Sequence, residues 1–221
     1  GFADEMKIEQ VTGENDDMVK PRIAKSAAAR AGRTKDKAEV FTPSWVCNLQ
    51  NNIIDESWFG RPDTFNKMSD DDKEWAPTTG SVSFTDVPDG KTWSDYIDST
   101  RMEITCGEAP YLVSRYDTVS GDDIPLDSRI GLLDRKLRIV GENCDTTDEE
   151  KLYSLVKRAY KSIYGFEWQG DNLLLARKNL FATFLDYWNA WTGHEPEIKQ
   201  KREIAEIISW NIFQMDGIEM T

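Results

Sequence analysis

RMEITCGEAPYL (residues 101–112) decides how this chain reads. RMEIT has the composition of a short strand, and it runs into a turn whose Gly107 permits close backbone approach. A second such run, SIYGFE (162–167), ends on the acid Glu167 just before a helical stretch that begins at Gly170 or Asp171. IFQMD, around 211–216, is either a third strand or the tail of the helix before it, because short apolar runs carry no decisive period. Strands separated by helices predict a parallel sheet. The first crossover is long enough for two helices. One, over 127–140, places Ile130, Leu133, Leu137 and Val140 on one face; the other, capped by Thr147 or Asp148, carries a stripe of Leu152, Leu155, Val156 and Ala159.

Outward from these strands the pattern is uneven. Residues 1–20 are polar, and 26–33 read as a short helix ending at Gly32. After AEVFTP (38–43), residues 44–59 place Trp45, Val46, Leu49, Ile53 and Ile54 at helical spacing, with Pro43 suited to a helix start. Residues 60–100 read as a long irregular connection held to the core by Trp75, Phe84, Trp93 and Tyr96. A short helix is expected over 112–116, then helices from 170 to about 190 and over 198–210. The organisation expected is a basic arm (1–37), a helical segment with its connection (38–100), and a partial α/β domain (101–221).

Composition narrows the function classes. Charged residues make up 30% of the 221 and aromatics 11%, with eight tryptophans, so a folded core is expected and wholesale disorder is not. There is no run of 18 apolar residues and no secretory leader pattern, so neither a membrane span nor export is expected. Cys47, Cys106 and Cys144 are too scattered for a disulfide framework and, with one histidine, make a poor zinc set, so a reducing cytoplasm is the default. The net charge of −13 argues against nonspecific wrapping of nucleic acid. Residues 20–37 nevertheless hold seven basic side chains against Asp36 alone, an arm that suits either phosphate contact or simple solvation.

Ligands of open α/β sheets sit beyond the carboxyl ends of the strands. A glycine turn after one strand and an acid closing the next could hold a nucleoside, since a carboxylate accepts two hydrogen bonds from a vicinal diol. An ordinary loop glycine and a surface acid give the same pattern, and no Gly-x-Gly-x-x-Gly is present.

Five blocks in order then carry a resemblance: AEVFTPSWVCNLQNN (38–52), RMEITCGEAPYLVSRYD (101–117), IGLLDRKLRIV (130–140), IYGFEWQGDNLLLARKNL (163–180) and IAEIISWNIFQMDG (204–217). Together they resemble the amino-terminal part of DNA adenine methyltransferase-like proteins of restriction–modification systems, in the branch of type II methylases and restriction endonuclease subunit M. The fold this implies is an incomplete Rossmann-like S-adenosylmethionine-dependent methyltransferase core with a helical N-terminal segment and a helical insertion. Phe41 would pack by the S-adenosylmethionine, and Thr42 would help hold its methionine carboxylate. Thr105, Cys106, Gly107 and Ala109 stand in the methionine-binding loop, where Glu108–Ala109–Pro110 departs from a glycine-richer form. Glu167 would take the ribose, Trp168 would pack on adenine, and Asp216 would meet the adenine amino group. Phe41 and Trp168 also read as ordinary core or patch aromatics.

Other polar residues have plainer readings. Arg115 and Asp117 read as a local structural pair, Asp171 as an N-cap, Asn211 as a cap or bridge, and His194 as an exposed turn residue. The resembled enzymes clamp a flipped adenine with a Pro–Pro–aromatic motif, and this sequence contains no Pro–Pro. No Asp…Glu-x-Lys nuclease arrangement stands out, and neither a catalytic residue nor a metal ligand is assigned. The expectation is a cofactor-binding portion, inactive alone, that meets DNA and the remaining methyltransferase part or a partner subunit. The alternative is a noncatalytic module that self-associates or docks a partner; an accessory module holding DNA through residues 20–37 is a third reading.

Overall fold

The computed structural model describes residues 19–25, 42–71 and 73–216. Phe41 and the short helix expected over 26–33 lie outside the described residues. The elements are α1 (Ser44–Phe59), β1 (Asn66–Met68), β2 (Trp75–Pro77), α2 (Trp93–Asp98), β3 (Arg101–Ile104), α3 (Leu132–Asn143), α4 (Glu149–Lys161), β4 (Ile163–Glu167), α5 (Gly170–Thr192), α6 (Ile198–Asn211) and β5 (Ile212–Gln214). The architecture is mixed α/β, with β1 and β2 an antiparallel pair and β3-β4-β5 an all-parallel sheet in that order.

Both crossover helices form, and their apolar stripes point inward as the spacing predicts. Ile130, Leu133, Leu137 and Val140 are buried, as are Leu152, Leu155, Val156 and Ala159. The first of these helices starts later than expected. Residues 126–128 form a separate 3-10 turn, and α3 begins after Gly131, where a Cβ would collide with the Leu112 carbonyl. Asp148 caps α4 by accepting from the Lys151 amide at 3.1 Å. IFQMD resolves in favour of a strand, since β5 follows α6 directly and pairs with β4 from Gly165↔Ile212 to Glu167↔Gln214.

Three expectations are corrected. Residues 112–116 are irregular in place of a helix and end in an isolated antiparallel bridge from Tyr116 to Asp123, because their amides and side chains bond to other segments. The 60–100 connection is less irregular than its Pro, Gly and Asp content suggests. It holds the β1–β2 pair and α2, whose start is a reciprocal Thr92–Asp95 cap. Arg115 and Asp117 do not pair with each other: Arg115 bonds Asp186 at 2.9 Å, and Asp117 accepts the first amide of α1 from Ser44 at 2.7 Å.

Helix α1 forms over the expected range and ends at Gly60, which is left-handed at φ +71° and has no room for a Cβ beside Pro88. The face it buries is the polar one. Cys47, Asn48, Asn51, Asp55 and Phe59 turn inward, while Ile53 and Ile54 are exposed. The cause is Arg135, whose fully buried guanidinium donates to Asp55 at 2.6 Å and to Asn48 and Asn52 at 2.8 Å each. Asp55 also accepts from the Tyr96 hydroxyl at 2.9 Å, joining α1, α2 and α3. Around this hub Phe59, Phe65, Phe84 and Tyr96 form a ring cluster with centroids 5.3 to 5.9 Å apart.

Two stability predictions follow from these buried charges. Replacing Arg135 with Met leaves the buried Asp55 with only the more distant Arg101 guanidinium, at 3.7 Å, as a cation, so urea denaturation should show a loss of about 3 kcal/mol; a loss below about 1 kcal/mol contradicts the hub. Asp134 at the start of α3 accepts from the Ser114 amide at 2.8 Å, and burial, against the pull of Arg129, raises its pKa from 3.8 to about 6. The folded chain then holds this proton while the unfolded chain releases it, so the contribution is full below pH 3.8 and lost as pH rises to about 6. Relative to Asp134→Asn, wild-type stability should fall over that window by on the order of 1–3 kcal/mol. A flat difference contradicts the assignment.

Candidate functional site at the strand ends

Residues beyond the carboxyl ends of β3, β4 and β5 come together because the three strands are parallel and in register. Ile104 pairs with Phe166, and Glu167 with Gln214. The Cys106 amide then donates to the Phe166 carbonyl at 2.9 Å, so the turn after β3 stays tied to β4. One residue on, the Gly107 amide donates to the Glu167 carboxylate at 2.8 Å. The other carboxylate oxygen accepts from the Gln169 amide at 2.9 Å. Each carboxylate oxygen has two lone pairs, so two backbone donors orient this group and leave acceptor capacity for a diol.

The turn itself is held in a left-handed conformation. Thr105, Gly107 and Ala109 have φ of +51°, +55° and +64°. That is ordinary for glycine and costly for a β-branched threonine. Ala109 is fully buried and its carbonyl accepts from the amides of Leu112 and Val113, which locks the far side of the turn. Glu108, where a glycine-richer loop would have a small residue, is buried as well and accepts from the Tyr116 hydroxyl at 2.6 Å. Asn179 of α5 bonds both the Glu108 carbonyl, at 3.0 Å, and that same hydroxyl, at 3.1 Å.

The remaining expected residues are distributed as follows. Thr42 lies just before α1, where its carbonyl accepts from the Thr118 hydroxyl at 3.1 Å, and its side chain is a hydrogen-bond partner of the Tyr111 phenol in the same turn. Trp168 is 55% exposed, and its carbonyl accepts from Gln214 at 2.9 Å, which sets it beside the end of β5. Asp216 follows two residues after Gln214. Asp171 is inside the first turn of α5 and pairs with Lys25 at 3.3 Å; Gln169 holds the N-cap position expected of it. His194 bonds Glu149 at 2.9 Å, and Asn211 donates to the Tyr160 carbonyl at 3.1 Å.

The principal residue that sequence reasoning passed over is Glu103. It is buried in β3, and its carboxyl accepts from the Leu112 amide at 3.2 Å. Burial drives its pKa well above the usual carboxylate range, and the Glu167 charge adds to the rise. The Cys106 thiol is likewise pushed up, by burial first and then by Glu103 and Glu167, so it is an inert thiol. The visible signal was an acid between two apolar residues, Met102 and Ile104, in a four-residue strand. Tyr116, expected in a short helix, instead braces the turn 105–109 through its hydroxyl, which bonds Glu108 and Asn179, while the Tyr111 phenol bonds to Thr42 and Cys47. Among the described residues no three His, Cys, Asp or Glu gather as a metal set, and no helix is long and apolar enough to cross a membrane.

Thr105→Gly removes the β-branched side chain from its left-handed position. It should raise unfolding stability by about 1 kcal/mol, and an unchanged or lower urea midpoint contradicts that reading. No known protein family, curated protein or solved structure matches the chain.

Proposed function

We propose that this chain is the S-adenosylmethionine-binding portion of a DNA N6-adenine methyltransferase of a restriction–modification system. The observation that carries the reading is the contact of Gly107 with Glu167 across the ends of adjacent parallel strands. In the proposed complex the turn 105–109 flanks the methionine moiety and Glu167 uses its remaining lone pairs on the ribose hydroxyls. Trp168 offers an exposed indole to the adenine, and Thr42 stands near the methionine carboxylate through Tyr111. Asp216, past β5, is within the same strand-end row for the adenine amino group. DNA would be the methyl acceptor's source, and the acceptor-binding motif would come from the remaining methyltransferase part or a partner subunit.

A second reading has its own observation. Among the described residues β3 is an edge strand of the three-stranded sheet, and Met102 and Ile104 on it are 53% and 59% exposed. An open strand edge with apolar side chains is a template for pairing with another chain. This supports docking, either of the missing methyltransferase part or of a second copy in a noncatalytic module.

Calorimetric titration with S-adenosylmethionine tests the first reading. Binding in the micromolar range is expected. Trp168→Ala, at an exposed position the fold does not need, should weaken it several-fold, and Glu167→Ala at least about tenfold. Absence of heat at millimolar cofactor overturns the cofactor assignment. Light scattering then separates the docking options: a dimer that dissociates on Ile104→Lys, with no cofactor binding, supports the noncatalytic module.

A further inference from the structure

Lys136 of α3 is fully buried, at the end of the sheet opposite to the candidate site. Its ammonium donates to the Ile97 carbonyl at 2.9 Å, to the Ser99 carbonyl and to the Ser162 hydroxyl oxygen. Ile97 is in the last turn of α2, Ser99 caps that helix, and Ser162 immediately precedes β4. The Ser162 carbonyl accepts from the Arg101 amide at 2.9 Å, so one ammonium joins the end of α2 to the starts of β3 and β4. All three of its partners are neutral oxygens. Lysine is almost never fully buried unless an anion answers it.

The neighbouring charges do not supply that anion. Arg101 and Arg135 both turn to Asp55, at 3.7 and 2.6 Å. Arg101 keeps its buried Nε and Nη2 without hydrogen bonds. Asp98, the other acid that acts on Lys136, is paired outward with Arg158 of α4. The Tyr96 phenol donates to Asp55, and burial holds its pKa well above the usual value, so it stays neutral. Three cations, none with a side chain more than 12% exposed, therefore share one buried carboxylate. Such an excess is relieved by discharging one of them, and a guanidinium does not deprotonate in proteins. The lysine does. Burial, and then the Arg101 charge, lower its pKa from 10.5 to about 7 against the pull of Asp98 and Asp55.

The discharged form also fits the hydrogen bonds. A neutral amine donates twice and accepts once. With the proton released to solvent, Nζ keeps the carbonyls of Ile97 and Ser99. The Ser162 hydroxyl, which now faces the carbonyls of Ile97 at 2.8 Å and Ala159 at 2.9 Å, turns to donate to Nζ. Ala159 still accepts from the Ser162 amide at 3.3 Å, so no buried group loses its only partner.

We propose that Lys136 is a proton switch at the foot of the parallel sheet: it is neutral in the closed fold, and on acidification it takes up a proton and favours opening of the junction between α2, β3 and β4. The unfolded or opened chain keeps a proton that the closed fold gives up. Stability therefore rises with pH from about 7 to 10.5, and this gain is absent below that window. None of the strand-end residues takes part, so the switch stands or falls apart from cofactor binding.

An NMR titration of the full chain, following the lysine side-chain Cε–Hε resonances, tests the switch without any variant. The resonance assigned to Lys136 should titrate near pH 7, and a midpoint above about pH 9 overturns the proposal. Urea denaturation of wild type and Lys136→Met gives the linkage. The ratio of their folding constants should rise by close to about tenfold per pH unit above about pH 7.5; a flat or falling ratio overturns it. Hydrogen exchange of the wild-type chain reads the opening itself. Protection of the Arg101 amide, corrected for intrinsic rate, should grow between about pH 7 and about pH 8.5 faster than that of the Leu173 amide in α5. The same pH dependence at both amides would show that the junction does not open on its own and would overturn the switch.

Discussion

The Glu167 carboxylate, fixed by the amides of Gly107 and Gln169, is the constraint on which the rest of the strand-end region depends. It closes β4, ties down the turn after β3 and opens the approach to α5 with a single group. Two backbone donors on one carboxylate make charge-assisted hydrogen bonds, roughly twice as strong as neutral ones. The carboxylate thereby holds a turn that threonine and alanine would not adopt unaided. The strained φ values at Thr105 and Ala109 persist because Cys106, Gly107, Leu112 and Val113 are all bonded around them.

A second constraint sets what the sheet leans on. Arg135 converts the polar side of α1 into its buried side, and Asp55 carries that anchorage to Tyr96. The exposed Ile53 and Ile54 of α1 and the exposed Met102 and Ile104 of β3 are then apolar surface that the described chain leaves to solvent. A helix anchored through a guanidinium hub keeps its position without burying that surface. Among the described residues the sheet can then end at β3 and still keep its strand ends in register.

Much of the frame was legible in the residues, and the failures have physical reasons. The parallel strands, the double-helix crossover and α1 could be read because period and caps are local. The β1–β2 pair could not, since three-residue strands are too short to show alternation. The orientation of α1 depended on Arg135, some 80 residues away in the chain, which no local window contains. Of the candidate site, Gly107 and Glu167 were legible from the turn and the acid that close two strands. Glu103, Glu108 and Tyr116 were not, because their roles arise only when β3, the turn and α5 are folded against one another. Arg115 and Asp117 were mispaired in the sequence reading since proximity in sequence favoured each other over Asp186 and Ser44.

The central claim is that one small molecule is embraced by the turn 105–109 and the Glu167 side chain. The most direct measurement is a crystal structure of the chain soaked with S-adenosylhomocysteine. The account predicts both ribose hydroxyls within hydrogen-bond distance of the Glu167 carboxylate and the amino-acid moiety against the backbone of residues 105–109. Density for the ligand elsewhere, with the Glu167 carboxylate touched only by Gly107 and Gln169, would contradict it.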